Sequence, residues 1–305
     1  METLTVDIII PVYRPNETYI RLLQALKKQT YPIHNIIIMN TERRYYETDR
    51  YPKFSNIEVH HIQKSEFDHG GTRNKGVQYS HSDIIFFLTQ DAVPTDRHLV
   101  EHMVKAFEDP AVAAAYGRQL PAPDCDRMER FSRNFNYPSE SFKKSKDDLE
   151  RLGIKTFFCS NVCAAYRRSI YDELGGFPLH TIFNEDMIFT AGLINAGYTV
   201  AYEADAKVVH SHNYSGMQQF HRNFDLAVSQ ADNPHIFSEI RSESEGIRLV
   251  KDTMSYLIRR KKYIDIVRLI YVSGCKYIGY LLGKNYKKLP KKFVIWCSMN
   301  REYWK

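Results

Sequence analysis

Residues 84–91 read Ile-Ile-Phe-Phe-Leu-Thr-Gln-Asp, and this stretch decides the fold. An apolar run without alternation suits a strand covered on both faces, the environment of a central parallel strand. Asp91 then stands just past the strand's carboxyl end, where open α/β sheets receive their ligands. Upstream, residues 6–10 predict a strand ending at Pro11. Asn16 predicts the cap of a helix whose Tyr19, Leu22, Leu23 and Leu26 share one face. Strands are expected at 36–39 and 57–62, and a short helix at 72–79 between Gly71 and the 84–88 strand. Downstream come a helix at 98–107 and a strand at 112–116. This alternation is α/β, with right-handed crossovers.

Residues 117–155 break the rhythm with Pro121, Pro123 and Pro138. They predict a long, partly helical excursion over one face of the sheet, of the kind that forms binding loops or lids. Beyond it, helices are expected near 168–174, closed by Gly175 and Gly176, and near 186–196, ended by Gly197. Two separate strands are expected at 199–202 and 206–212. A helix near 216–231 would place Met217, Phe220, Phe224, Ala227, Val228 and Ala231 on one face. From about 245 only helices are expected, with Ile247, Val250, Met254, Leu257 and Ile258 as one stripe and 263–283 as another.

The chain has 305 residues, 43% hydrophobic and 26% charged. That composition is globular and long enough for a substantial core without disulfide or metal staples. Five cysteines at positions 125, 159, 163, 275 and 297 show no framework spacing, which favours a reducing compartment. The opening METLTVDIIIPVY has neither a basic region nor a long apolar core, so no signal peptide is expected. The net charge of +6 is divided: after residue 250 there are 14 Lys/Arg against 3 Asp/Glu, a balance of +11. An acidic-leaning body with a basic tail argues against nucleic acid as the partner. The tail's most apolar stretch, 269–283, is short and interrupted by Lys276, so lying on an anionic membrane surface is favoured over spanning one.

Four clusters carry the chemistry. Asp91 could hold a divalent metal with oxygen ligands, magnesium or manganese, or could serve only as a turn residue. Phe67-Asp68-His69-Gly70-Gly71-Thr72-Arg73-Asn74-Lys75-Gly76 combines glycines, a helix start and two cations, suited to a diphosphate; it is neither a P-loop nor a dinucleotide fingerprint. Asn184-Glu185-Asp186 opens a helix, where carboxylates are favourable electrostatically, or where one acts as a general base. His210-Ser211-His212 puts two imidazoles on one side of an extended segment, as structural groups or as ligands.

In this order the clusters resemble one family: inverting nucleotide-sugar glycosyltransferases of family 2, with the GT-A fold. IIIPVY at 8–13 stands where the family's first strand meets the nucleotide, bringing Pro11 and Tyr13 to the donor. GGTRNKG follows, then TQDA in place of the metal-binding Asp-x-Asp, and NED in place of the Glu-Asp base motif. The family pattern spans roughly 3–240, leaving 241–305 as a basic, amphipathic helical region. FDHGGTRNKG, FLTQDAVP and VVHSHNYS with Gln218-Gln219-Phe220 resemble the rhamnosyltransferase branch, which builds bacterial O-antigen and rhamnose-containing wall polysaccharides.

The resemblance implies an α/β GT-A fold and transfer of L-rhamnose from dTDP-β-L-rhamnose to a hydroxyl of an undecaprenyl-linked or other polysaccharide acceptor. It implies Asp186 as the base with Glu185 in support, and donor contacts from Asn40, Asp68, Gly71, Arg73, Gln90 and Asp91. Asn40 stands where many relatives carry an Asp for the base or its ribose. Thr89 stands at the first Asp of the metal motif, so the Mg²⁺ or Mn²⁺ implied would lean on Asp91 with His210 and His212. Cys159-Ser160-Asn161 falls in the segment that borders the donor and acceptor cavity. The implied location is the cytoplasm, peripheral on the inner face of the bacterial membrane; a homo-oligomer is compatible with the chain. A UDP-hexose donor and a non-catalytic peripheral scaffold are the alternatives.

Overall fold

Unbroken burial shapes the centre of the sheet. Val6, Ile8, Ile9 and Ile10 and the whole of Ile84–Leu88 are shielded from solvent on both faces, as their lack of alternation requires. The structure, a computed structural model, describes residues 3–238 and 243–305; the expected boundary between residues 240 and 241 lies outside the described residues.

In chain order the first elements are β1 (Val6–Tyr13), α1 (Glu17–Leu26), β2 (Asn35–Thr41), β3 (Ile57–Ile62), α2 (His69–Val77), β4 (Ile84–Leu88), β5 (Val93–Pro94) and α3 (Leu99–Lys105). There follow β6 (Val112–Leu120), α4 (Arg127–Asn136), β7 (Phe142–Lys144), α5 (Leu149–Leu152), β8 (Cys163–Arg167), α6 (Arg168–Glu173), α7 (Glu185–Asn195) and β9 (Thr199–Val209). The remainder is helical: α8 (Gly216–Asp232), α9 (Pro234–Phe237), α10 (Glu243–Arg259), α11 (Tyr263–Lys284) and α12 (Lys291–Cys297).

Asn16 caps α1 as expected, its Oδ1 accepting the Thr18 N–H at 2.9 Å, and Tyr19, Leu22, Leu23 and Leu26 are buried. The strands form one sheet in the order β3-β2-β1-β4-β8-β6-β9-β5, with β7 also on β9. β1, β2, β3 and β4 run parallel, and β6 is parallel to β9. β8 is antiparallel to both its neighbours. Its register sets Cys163 opposite Leu88, so the residues entering β8 meet those leaving β4 at one edge of the sheet.

Several expectations shift. α2 starts at His69, three residues early, because Asp68 caps it: Asp68 Oδ1 accepts the Gly71 N–H at 2.6 Å. Residues 117–120 belong to β6, and Phe142–Lys144 forms an edge strand, so the excursion is partly built into the sheet. Lys144 explains that insertion: it is 1% exposed, and its Nζ donates to the carbonyls of Lys155, at 2.8 Å, and of Phe158. The two strands expected at 199–202 and 206–212 are one, β9, which ends at Val209 short of residues 210–212 and pairs with β6 through register shifts at Val112/Ala114 and Gly117/Arg118.

The chain divides into two compact units. The first comprises residues up to Ala122, Tyr137–Leu179 and Glu185–His210, and contains the whole sheet. The second comprises Pro123–Asn136, His180–Asn184 and Ser211–Lys305. Its core is Ile182, Phe220, Phe224, Val228, Val294 and Cys297. Within it, α11 lies so close to α8 that a β-carbon on Gly279 would come 2.2 Å from the Phe220 carbonyl oxygen. Met217 is exposed, outside the face expected for it, and Ile247 and Ile258 at the two ends of the α10 stripe are exposed too.

Candidate active site

The strand order dictates where chemistry can sit. β1, β2 and β4 end at the same edge, delivering Tyr13, Asn40 and Thr89-Gln90-Asp91. The parallel pair β6 and β9 ends there with Gln119 and His210, the His210 N–H donating to the Leu120 carbonyl at 3.0 Å. Antiparallel β8 contributes its entry, Ser160–Val162, through the Thr89 N–H to Val162 carbonyl bond at 3.2 Å.

At the end of β4, Gln90 locks onto β1 by two hydrogen bonds: the Tyr13 N–H donates to its Oε1 at 2.9 Å, and its Nε2 donates to the Tyr13 carbonyl at 3.1 Å. The Gln90 amide is therefore spent on holding two strand ends together. Pro11 sits within β1 beside Met39 of β2. Asn40 is fully buried; its Nδ2 donates to the Glu42 carbonyl at 3.2 Å and meets His61 Nδ1 at 2.9 Å. Its Oδ1 has no hydrogen-bond partner among the described residues. Such an acceptor is costly to bury unless a ligand supplies the donor.

Asp91 Oδ2 lies 3.5 Å from Nε2 of His210, whose side chain is 8% exposed. His212, two residues along the chain, completes a group whose ligand atoms all lie within 4.8 Å of one another. One carboxylate oxygen and two imidazole nitrogens form a donor set that fits a divalent cation such as manganese, and magnesium less readily because it prefers oxygen. Thr89 Oγ1, at the first position of the expected acidic motif, is buried with no partner among the described residues.

The second centre lies at the amino end of α7. Asn184 precedes it in a left-handed conformation, φ 64°, which asparagine tolerates better than most residues. Glu185 Oε1 is 3.1 Å from Arg73 Nη1, with both side chains under 10% exposed. Asn161 Nδ2 donates to the same oxygen at 3.3 Å, and its backbone N–H donates to Asp186 Oδ2 at 3.1 Å. Asp186 Oδ1 also accepts the Met187 N–H at 2.8 Å. Asn161 is itself fixed by the Tyr166 hydroxyl, which donates to its Oδ1 at 2.9 Å.

These surroundings separate two adjacent carboxyl groups. Burial alone would raise Glu185, but the Arg73 guanidinium and His69 outweigh it and hold this carboxyl below its usual range. Asp186 is pushed up, by burial first and by the neighbouring Glu185 charge second. Glu185 thus stays a fixed anion, while Asp186 is poised to exchange a proton nearer neutrality. Cys159 behaves as packing: it is buried, and its thiol is pushed up to about 12, far from a nucleophile at neutral pH.

The glycine-rich segment turns toward α7. Arg73 is 6% exposed and donates to the His69 carbonyl at 2.8 Å as well as pairing with Glu185. Gly70 abuts the chain after α6 so tightly that a β-carbon would lie 2.1 Å from the Pro178 carbonyl oxygen. Asn74 latches the same segment, its Nδ2 donating to the Phe177 carbonyl at 2.8 Å. Asp68 and Gly71 are occupied with each other as the helix cap. The sequence named Asn161 only within a segment and missed Gln119, which lay inside the supposed excursion. Its signal would have been a polar residue following the apolar run of 112–116.

Comparisons with known proteins bear on the family and the fold. The profile of the family described as Glycosyl transferase family 2 matches residues 7–175. The chain is 41% identical over 301 residues to the O-antigen chain rhamnosyltransferase RfbN of Salmonella typhimurium, covering 98% of this chain and 96% of that one. It is also 41% identical to the O-antigen chain rhamnosyltransferase WbaN of Salmonella anatum, covering 97% and 95%. Among solved structures, the mannosyltransferase PcManGT from Pyrobaculum calidifontis, in complex with GDP-Man and Mn²⁺, superposes with a TM-score of 0.60 over 94% of this chain and 89% of its own, at 14% identity. S. aureus TarS 1-349 in complex with UDP-GlcNAc gives 0.53 over 93% and 92%, at 12% identity. The fold is accordingly the mixed α/β fold of GT-A nucleotide-sugar transferases.

The buried Arg73–Glu185 pair makes a direct prediction. Arg73→Met, which strands the Glu185 charge, should cost about 3–5 kcal/mol in urea unfolding at neutral pH, and adding Glu185→Gln should recover much of that loss. Equal stability of Arg73→Met and the unaltered protein would show that the pair is not formed.

Proposed function

Because the chain belongs to glycosyl transferase family 2, we propose that it transfers L-rhamnose from dTDP-β-L-rhamnose to a hydroxyl of a lipid-linked polysaccharide acceptor, inverting the anomeric centre with Asp186 as base. The observation that carries the mechanism is the split carboxyl pair: Glu185 neutralised by Arg73, and Asp186 raised and held by two backbone N–H groups. The rhamnose donor is supported by the two relatives named as O-antigen rhamnosyltransferases, each matched over nearly its whole length.

The acceptor oxygen attacks the anomeric carbon from the face opposite the diphosphate, its proton passing to Asp186 as the bond to the departing phosphate oxygen breaks. One displacement inverts the centre, so no covalent intermediate and no second carboxylate nucleophile are needed. Glu185 stays ionised through the step, and its paired charge keeps Asp186 basic enough to take the proton. Asn161 orients both carboxyl groups, through its side chain for Glu185 and its backbone for Asp186. Asp91, His210 and His212 would hold a divalent ion, which supplies charge compensation to the leaving diphosphate. The unpartnered Asn40 Oδ1 is suited to accept the N3–H of a thymine or uracil ring.

The helical region supports attachment to an anionic membrane surface. No helix among the described residues is long and apolar enough to cross a membrane. On α11, however, Ile264, Val267, Tyr271 and Ile278 recur at spacings of three, four and seven residues and are 87%, 69%, 56% and 53% exposed. Exposed Arg260, Lys261 and Lys262 stand before this face, and exposed Lys288, Lys291 and Lys292 after it. An apolar stripe with cationic ends fits lipid headgroups better than a second, equally basic copy.

Two measurements test this reading. Purified protein offered dTDP-L-rhamnose, UDP-glucose, UDP-galactose and UDP-GlcNAc should release dTDP from the first alone, in an acceptor-dependent way. Asp186→Asn should lose about 10²–10⁴-fold of that turnover. Release from a UDP-sugar instead would overturn the donor; full activity of Asp186→Asn would overturn the base. In flotation with vesicles containing anionic lipid, Ile264→Glu with Ile278→Glu should leave the protein in the soluble fraction. Unchanged recovery with the vesicles would remove the membrane role.

A further inference from the structure

Gln119 connects the two centres of the site. It lies at the penultimate position of β6, 2% exposed, with its amide between His210 and Ser160. Its Nε2 donates to Ser160 Oγ at 3.1 Å, and its Oε1 is 3.1 Å from His210 Nδ1. An amide oxygen can only accept, so in this orientation Nδ1 carries the imidazole proton and the lone pair resides on Nε2. That nitrogen faces Asp91 Oδ2 at 3.5 Å. Two lone-pair donors pointed at one another, with His212 close by, are satisfied by a cation between them.

The opposite amide orientation would have the reverse effect. Nε2 of Gln119 would donate to His210 Nδ1, the imidazole proton would move to the other nitrogen, and His210 would hydrogen-bond directly to Asp91. The imidazole would then offer the cation no lone pair. In the structure the first arrangement is the one formed, with Ser160 Oγ accepting from Gln119 Nε2, although a hydroxyl could also donate to the turned amide. The residue after Ser160 supplies the backbone N–H that holds Asp186 Oδ2 at 3.1 Å. One buried amide therefore touches the histidine of the metal group on one side and the segment that orients the base on the other.

We infer that Gln119 is a positioning residue: it fixes His210 in the tautomer that ligates through Nε2, and ties that imidazole to the Ser160-Asn161 segment beneath Asp186. The inference rests on the metal reading of Asp91, His210 and His212. Outer partners of a ligating histidine commonly control metal affinity by 10–100-fold, and Gln119 Oε1 stands at hydrogen-bond distance from His210 Nδ1.

The test is Mn²⁺ affinity rather than turnover, measured on the full chain with dTDP present by the loss of the free-ion paramagnetic resonance signal. Gln119→Leu, close in size, should weaken Mn²⁺ binding by about 10–100-fold. Gln119→Glu, which keeps an acceptor for Nδ1–H, should restore binding to within about threefold of the unaltered protein. It also serves if the leucine variant fails to fold. Ser160→Ala, which removes the support but not the acceptor, should fall between the two. If Gln119→Leu binds Mn²⁺ as well as the unaltered protein, or Gln119→Glu binds as weakly as His210→Ala, the role of Gln119 is overturned while the metal reading stands. If the unaltered protein binds no more Mn²⁺ than His210→Ala, the metal reading falls and this inference with it.

Discussion

The ion pair between Arg73 and Glu185 is the constraint on which the site depends. Both groups are removed from water, so each charge requires the other. Arg73 reaches Glu185 only because α2 starts early, capped by Asp68, and because Gly70 lets it press against the Pro178 carbonyl. Asn74 holds the same helix to Phe177. With Glu185 fixed as an anion, the next carboxyl group in the chain cannot ionise easily, and that group is Asp186. A raised Asp186 carries a cost: its contribution to stability is full below the ordinary carboxylate pKa and is lost as pH rises through the raised value. The fold thus gives up stability at neutral pH for a base that works there.

Antiparallel β8 makes this arrangement possible. A parallel strand at that position would send its entry to the far edge of the sheet, away from the ends of β4 and β6. Reversed, β8 brings Ser160 and Asn161 to the edge where Thr89, Asp91, Gln119 and His210 already sit. The metal group and the carboxyl pair are then linked from His210 through the Gln119 and Ser160 side chains and on through the Asn161 backbone N–H to Asp186.

Much of this was legible in the sequence, and the reasons differ between regions. The 84–88 run, the Asn16 cap and the 17–26 face follow local rules, and the structure reproduces them closely. The clusters at 67–76, 89–92, 184–186 and 210–212 could be named because their residue types are unusual for strand ends and helix starts. What could not be read was pairing at long range. Arg73 looks like a diphosphate ligand when only its glycine-rich neighbours are visible, and its pairing with a residue over a hundred positions away depends on how α2 meets α7. Gln119 and Lys144 were hidden for a related reason. Prolines mark 117–155 as irregular, yet its first residues, 117–120, and the internal stretch 142–144 join the sheet through pairings with β9 that no local signal encodes.

The most direct measurement is the pH dependence of kcat/KM for the rhamnosyl transfer. A base raised by burial and by Glu185 must lose its proton to act, so activity should fall on acidification along a limb well above the ordinary Asp pKa of about 3.9. A rate that stays flat down to the range of an unperturbed carboxylate would contradict the division of labour between Glu185 and Asp186.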